Sequence, residues 1–205
     1  MKNPLNKRLP REIRGDFGKY LVIFLLLVLS IGLISGFLVA DNSMIRAYND
    51  GFEKYNVENG HFLTERKMNK AQKKAVEANG ITLYDQFYVE QTADFGAKVR
   101  IYADRKEVNT VCLMKGTLPV KKDEIALDRM FADNHELTTG DTILLADKEY
   151  TITGLVALPD YSCLFEKNSD SMFDAMLFGV AIVSNDAFAQ FAEEELNYDY
   201  AWKYE

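Results

Sequence analysis

Carboxylates are the first groups in this sequence that could do chemistry, and four of them lie between residues 158 and 179. Asp160 and Glu166 flank an apolar stretch there, and Asp170 and Asp174 lie within it. Four carboxylates within fifteen residues could attract a cation or a basic peptide. Charged residues in loops are more often solvated. We therefore expect these four to be solvated loop charges and not a metal site.

Other groups that could do chemistry are few. His61 and His135 lie outside any H-E-x-x-H pattern, and we expect surface or strand histidines, not metal ligands. Cys112 falls in an apolar predicted strand, where a thiolate is disfavoured, and Cys112 and Cys163 leave open one disulfide or two free thiols. The sequence contains neither G-x-S-x-G nor G-x-x-x-x-G-K-[ST]. We expect no enzyme activity, no cofactor and no nucleotide site.

The segment 158–179 is also rich in large apolar side chains and is predicted to form a long loop. Long loops in compact domains are usually functional. We expect this loop either to cover the core of its own domain or to meet a partner or substrate. The residues predicted for such a contact are Tyr161, Phe165, Phe173 and Phe178.

One apolar run near the N-terminus must position everything else. Residues 20–40 carry no charge, and a helix of 21 residues covers about 32 Å, against about 30 Å for a bilayer core. A cleaved signal peptide is the alternative, but its apolar region is shorter, about 7–15 residues. We therefore predict a retained transmembrane helix.

Small residues give this helix one face on which a second helix could pack closely. Gly32 and Gly36 form a G-x-x-x-G with Ser35 beside them, and such spacing allows two helices to approach. Small residues are also common in spans without such a role. Helix packing at Gly32, Ser35 and Gly36 is our prediction.

The charge distribution predicts which way the span crosses. Six Lys and Arg residues precede it against Glu12 and Asp16, so the first nineteen residues carry a net +4. The chain total is −7, which leaves −11 for residues 41–205. Because Lys and Arg beside a span stay cytoplasmic, we expect a cell-membrane protein with its N-terminus inside and residues 41–205 extracytoplasmic. An acidic exterior gives no reason to expect nucleic acid.

Beyond the span the helix is predicted to continue through residue 56, because apolar residues recur at three- and four-residue steps. A helix over 68–79 is predicted next, with Thr64 as its N-cap and Gly80 as its stop. Strands are predicted around it at 57–63, 81–89, 97–102 and 108–114.

The second half predicts a compact β unit and then a return to mixed structure. Its predicted elements are a turn at 116–119, a strand at 124–127, a helix to residue 134 capped by Asp128, and a hairpin of Thr142–Leu145 with 150–156. After the loop come a strand at 180–184, a helix to residue 196 capped by Asn185, and a strand at 198–204. The fold class is therefore α+β.

Three stretches of the sequence resemble the N-terminal part of bacterial ABC transporter permeases of the MacB/FtsX type. They are the basic entry into the span (RLPREIRGDFGKYLVIFLLLVLSIGLISGF), the helical exit (MIRAYNDGFEKYNV) and the run KGTLPVKKDEIALDRMFADNHELTTGDTILLADKEYTITGLVALPDY. The last resembles the family's G-x-x-P turn, E-I-A-L strand, G-D-x-I hairpin and I-x-G strand. The matching positions are Gly116, Pro119, Glu124, Ile125, Ala126, Leu127, Gly140, Asp141, Ile152 and Gly154.

The resemblance implies a domain order. It gives a cytoplasmic basic segment (1–19), a transmembrane helix (20–40), a helical extension (41–56) and a two-lobed extracytoplasmic domain (57–205). In such a domain a mixed α/β lobe carries an inserted small β-rich lobe, here 116–179. No second long apolar run follows Ala40, so we expect the N-terminal portion of a permease subunit, as a truncated product or a fragment.

The resemblance also implies partners: a cytoplasmic ABC ATPase subunit, other permease helices or a second permease copy, and membrane lipid. The expected function is to relay motion from that ATPase to the extracytoplasmic domain. The alternative, of another class, is a single-pass anchored extracellular binding or sensor domain that uses the 158–179 loop.

Overall fold

The computed structural model describes residues 14–167 and 169–204, and the chain divides into two compact units, Met1–Asp50 and Gly51–Glu205. Most of the predicted basic segment, residues 1–13, lies outside the described residues. Each unit is described by itself below.

The first unit is built on α1 (Phe17–Lys54), a helix of 38 residues with no buried residue. In the part of the chain that the structure describes, α1 is the one helix long and apolar enough to cross a membrane. The predicted continuation beyond the span is confirmed, and it ends two residues before the predicted position. Asn56 has a φ of 47°, which helical backbone does not allow.

Among its described residues, the second unit contains ten strands, three short α-helices and one turn of 3₁₀ helix at Glu193–Glu195. The strands are β1 (Gly60–Thr64), β2 (Ile81–Asp85), β3 (Tyr88–Thr92), β4 (Lys98–Ala103), β5 (Cys112–Gly116), β6 (Glu124–Asp128), β7 (Thr142–Leu145), β8 (Lys148–Ala157), β9 (Phe178–Val183) and β10 (Tyr198–Tyr204). The α-helices are α2 (Lys70–Glu77), α3 (Arg129–Asn134) and α4 (Asn185–Phe188). The predicted α+β class after one apolar helix is confirmed.

These strands form two sheets. A small antiparallel sheet has the order β1-β10-β2, and a large mixed sheet has the order β3-β4-β9-β6-β8-β5, with β7 paired to β8. The strands between residues 116 and 179 pair within the large sheet alongside β3, β4 and β9. The predicted division into two lobes stays a prediction.

The core lies on the large sheet, where all six residues of β9 are buried. Helix α3 packs against it through Phe131, which is fully buried. A Cβ added at Gly179 would meet the Phe131 ring at 2.4 Å, so glycine is required there for this close approach.

The motif residues of the third sequence stretch are turn and packing residues. Gly116 has a φ of +77°, and a Cβ on it would meet the Thr153 carbonyl at 2.2 Å. The Glu124 carboxylate accepts hydrogen bonds from the backbone N–H groups of Val120 and Lys121 at 2.8 and 3.0 Å. These two backbone bonds come first among the causes that lower the pKa of Glu124 to about 2.

Most local predictions in this half are confirmed. Asp128 caps α3 by accepting from the backbone N–H groups of Met130 and Phe131. The predicted β7–β8 hairpin forms, although β8 begins at Lys148, two residues before the predicted start of that strand. The strand at 198–204 is β10.

Four predictions were wrong in detail. Asn69, not Thr64, caps α2, because Thr64 is the last residue of β1. The predicted strand 81–89 is two strands in different sheets. The strand predicted from residue 108 begins at Cys112, since Asn109 has a positive φ of 51°. Ser184 caps a single helical turn, where a longer helix capped by Asn185 was predicted.

Candidate functional site

A polar cleft of about 630 Å³ opens between the small sheet, the β3–β4 edge of the large sheet and the loop after β8. We call it the polar cleft. It is lined by Glu58, His61, Leu63, Gln86, Tyr88, Glu90, Lys98, Arg100, Tyr102, Asp160, Tyr161, Cys163, Phe165, Glu166, Lys167, Ser169 and Asp199.

Arg100 joins the sheet to the loop at one wall of the polar cleft. Because Arg100 and Glu90 are directly opposite on the antiparallel pair β3–β4, their side chains meet, and Nη2 lies 2.6 Å from the Glu90 carboxylate. Nη1 donates to the Tyr161 hydroxyl at 2.9 Å, and Nη2 donates to the Glu166 carbonyl at 3.0 Å. The guanidinium also lies 4.4 Å from the centre of the Tyr88 ring. Arg100 is therefore fully engaged within the protein.

A buried ion pair closes the deep end of the loop. Arg105 Nη1 lies 2.7 Å from both carboxylate oxygens of Asp160, and the two side chains are 4% and 10% exposed. The Arg105 guanidinium stacks on the Tyr102 ring at 3.9 Å. The Tyr102 hydroxyl lies 2.6 Å from that of Tyr161. The pair therefore fixes the start of the loop against β4.

The small-sheet wall presents two buried oxygens without a hydrogen-bond partner. Asp199 Oδ1 and Gln86 Oε1 have none, and each residue is 8% exposed. The Gln86 backbone N–H donates to the Asp199 carbonyl at 2.9 Å, so the two residues are neighbours across adjacent chain segments. Burial raises the pKa of Asp199 to about 6, against the pull of the nearby His61.

His61 is paired beside this wall. Its Nδ1 lies 2.6 Å from Glu58 Oε1, and this hydrogen bond raises the pKa of His61. Glu58 Oε2 also accepts from the Asn109 side chain at 2.6 Å. Within residues 14–167 and 169–204, no group of three His, Cys, Asp or Glu side chains could hold a metal ion.

The structure separates the four aromatic residues predicted for a partner contact. Tyr161 and Phe165 line the polar cleft, and Phe173 meets Phe165 edge-on with ring centres 6.2 Å apart. Phe178 is the first residue of β9 and is buried in the core, so its assignment to the loop was wrong. Leu164 and Ala175 are also buried. The loop thus covers part of its own core, and its role toward a partner stays a prediction.

The prediction that the loop acids are solvated was wrong for Asp160, which forms the buried pair with Arg105. The expectation failed because Arg105 comes from 55 residues earlier in the chain. Glu166 pairs with Lys98 on β4 and stays partly exposed. Asp170 and Asp174 accept from nearby backbone N–H groups and act as local turn residues.

The cysteines are both free. Cys112 accepts a hydrogen bond from the Tyr55 hydroxyl at 2.9 Å and is partly buried. Cys163 is exposed at the polar cleft. This settles the alternative that the sequence left open in favour of two thiols.

On α1, Gly32 and Gly36 line a shallow apolar groove with Val28, Leu29, Leu33, Phe37 and Ala40. A Cβ at either glycine would meet nothing within 4 Å. Ser35 does not line the groove. Helix packing at these three residues stays a prediction.

Replacing Asp160 with alanine tests whether the buried pair fixes the loop. The variant leaves the Arg105 charge buried without a partner, so we expect the free energy of unfolding to fall by about 3–5 kcal/mol. Guanidinium unfolding of the full chain in detergent, followed by the fluorescence of Trp202, the single tryptophan, measures the change. Asp133→Ala, which breaks an exposed pair with Arg129, is the control and should change it by less than about 0.5 kcal/mol. Equal effects of the two variants would contradict the assignment.

Asp199→Asn removes a carboxylate that folding desolvates. The pKa of about 6 in the folded chain exceeds the ordinary 3.8, so the folded state binds the proton more tightly. Wild-type stability therefore falls as the pH rises from about 4 to about 6 and stays lower above that. The variant lacks this loss, and we expect it to be more stable by up to about 3 kcal/mol near pH 7.5.

The same unfolding measurement at several pH values checks this difference, which should vanish near pH 4. The raised pKa of His61 adds its own loss of stability above about pH 6.5 in both proteins. Exposed Glu149→Gln is the matched control and should follow the wild type. A variant that is less stable near neutral pH, or a difference that does not change with pH, would refute the account.

Comparison with known proteins finds similar solved structures but no match by sequence. No family model matches the chain, and no curated protein matches it. The extracellular domain of the noncanonic ABC-type transporter YknZ from Gram-positive bacteria is similar at 8% identity and a TM-score of 0.41, with 73% of this chain and 83% of that chain covered. The periplasmic region of MacB from Actinobacillus actinomycetemcomitans is similar at 9% identity and a TM-score of 0.39, with 68% and 65% covered.

Proposed function

We propose that this chain is the N-terminal portion of an ABC transporter permease subunit that relays motion from a cytoplasmic ATPase to an extracytoplasmic domain. The observation that carries the proposal is α1, which runs without a break from Phe17 to Lys54 and includes the uncharged segment 20–40. An α-helix transmits displacement along its axis because its backbone hydrogen bonds hold each turn to the next.

The motif run after residue 115 supports the same proposal. Its residues resemble those of MacB/FtsX-type permeases, and several have positional roles that other residues would not fill. Gly154 is an example, because a Cβ there would meet the Thr117 carbonyl at 2.4 Å. The matching residues therefore stand where the local geometry of this chain requires their type.

The orientation that we propose places the N-terminus in the cytoplasm. The basic residues before the span support it, because positive charge near a span stays inside. The acidic domain after the span would then face outward, with the basic segment close to the ATPase and to anionic lipid headgroups.

The groove at Gly32 and Gly36 is the face that we propose for contact with further permease helices or a second copy. The side chains of residues 20–40 would be surrounded by apolar lipid chains. Close packing, rather than the hydrophobic effect, must therefore drive the association of this segment with other helices. A groove of small residues supplies the space for that packing.

A second candidate function is a single-pass anchored binding or sensor domain. The polar cleft favours it, because two buried oxygens in its wall lack partners within the protein. Buried polar groups are nearly always hydrogen-bonded in folded proteins, so a ligand could complete this wall.

Cysteine labelling tests the orientation. Exposed Cys163 should react with a membrane-impermeant maleimide on intact cells, and Cys163→Ser should abolish the reaction. In a chain without other cysteines, Lys19→Cys should react only after the membrane is permeabilised. Reaction of Lys19→Cys on intact cells would refute the proposed orientation.

Co-purification tests the permease role. The tagged full chain, cross-linked in its native membrane, should recover an ATPase that carries a phosphate-binding loop, and deletion of residues 8–19 should abolish that recovery. Gly32→Leu and Gly36→Leu fill the groove, and we expect about 5- to 30-fold less recovery of other membrane subunits.

Ser30→Leu adds the same bulk off the groove and is the control, with recovery unchanged. Recovery of no ATPase from the wild-type chain would refute the permease role. Equal losses for Ser30→Leu and the glycine variants would refute the proposed packing face.

A further inference from the structure

Two neighbouring acceptors in the wall of the polar cleft lack a donor. Asp199 lies on β10, and the backbone bond from Gln86 N–H to its carbonyl continues the β10–β2 register by one residue. Side chains that are directly opposite on antiparallel segments lie on the same face. Both side chains line the polar cleft, both are more than nine-tenths buried, and each has one oxygen without a partner.

Four of the cations around these acceptors already have partners within the protein. Arg105 Nη1 donates to both carboxylate oxygens of Asp160. Lys98 forms an ion pair with Glu166. Arg100 donates to Glu90, Tyr161 and the Glu166 carbonyl. His61 is hydrogen-bonded to Glu58. Arg105 Nε is the exception, because it is buried and has no hydrogen-bond partner.

The charge of the lining favours a positive ligand. Five carboxylates line the polar cleft against three Lys or Arg side chains, and Arg105 beside Asp160 adds a fourth positive charge. With His61 neutral the lining carries a net negative charge, and the raised pKa of His61 moves that state to higher pH. Burial also raises the pKa of Asp199, against the opposing pull of the His61 and Arg105 charges.

A metal ion is a poor match to this wall. Hard cations such as Ca²⁺ take six to eight oxygen ligands, and no three acidic or His side chains come together within the described residues. An organic cation needs fewer contacts, because N–H donors pair with single oxygens. Leu63 and Phe165 line the same cleft and offer apolar surface to an alkyl stem.

We infer that the polar cleft binds an alkyl ammonium or guanidinium group, with its N–H donors on Asp199 Oδ1 and Gln86 Oε1. The inference deepens the second candidate function and rests on the binding role proposed there. It does not depend on an ATPase partner. Two sources share this chemistry: a free polyamine, or a Lys or Arg side chain of a peptide.

Calorimetric titration of the full chain in detergent tests the inference. The probes are agmatine, which represents a free polyamine, and N-acetyl-arginine amide, which represents a peptide side chain. We expect saturable binding of at least one, and the tighter of the two identifies the source. Tetramethylammonium has the charge but no N–H donor, and it should bind about 10- to 100-fold more weakly.

Variants then locate the binding. Asp199→Asn and Gln86→Leu should each weaken the tighter probe, Asp199→Asn by about 10- to 100-fold. Exposed Glu149→Gln, on β8 and outside the cleft lining, is the matched control and should leave the affinity unchanged. Circular dichroism of each variant establishes that the fold persists.

Three results would overturn the inference. They are no saturable binding of either probe, tetramethylammonium binding as tight as agmatine, and unchanged affinity in Asp199→Asn. Saturable binding of inorganic phosphate or Ca²⁺ in place of the organic cations would also overturn it, while leaving a binding role for the domain. Failure to recover an ATPase would affect the permease proposal alone.

Discussion

The buried ion pair between Arg105 and Asp160 is the constraint on which the cleft depends. It joins the residue two positions after β4 to one three positions after β8, and those strands are not neighbours in the sheet. A buried pair is weak evidence for stability, because desolvation offsets much of the attraction. Its value here is positional. Because Asp160 is held in place, the hydroxyl of the next residue, Tyr161, contacts both Tyr102 and Arg100. These contacts fix the loop as one wall of the polar cleft.

The opposite wall follows from how the chain changes sheets. Only Gln86 and Phe87 separate β2 from β3, so the chain passes from the small sheet to the large sheet within two residues. Phe87 packs edge-on against Tyr198 and Tyr200, while Gln86 takes the other face and lines the cleft. Folding alone gives no reason to bury Asp199 and Gln86 without donors, since each unpaired group costs about 1–3 kcal/mol. Departures of this kind from local consistency are expected at functional sites.

Local patterns predicted the parts of the fold whose causes are local. The uncharged run predicted α1, and Asp128 predicted the start of α3. The turn residues between two apolar strands predicted the β7–β8 hairpin. The cleft could not be predicted in this way, because the contacts that hold the loop to the sheet, Arg105 to Asp160 and Arg100 to Tyr161, join residues 55 and 61 positions apart. One signal was present in the sequence: Asp199 stands between Tyr198 and Tyr200 in an apolar strand. A charge at such a position indicates a buried polar wall, but its partners come from tertiary structure.

The position of β10 at the centre of the small sheet has a consequence for the order of folding. β1 and β2 do not pair with each other, and both wait for residues 198–204. The register joins Gly60 to Trp202, and at about 5–20 residues per second the ribosome needs roughly 7 to 30 seconds to synthesise the chain between them. Throughout that time the first strand has no neighbour to pair with. The wall that carries Asp199 is therefore assembled last, after the large sheet has every one of its strands.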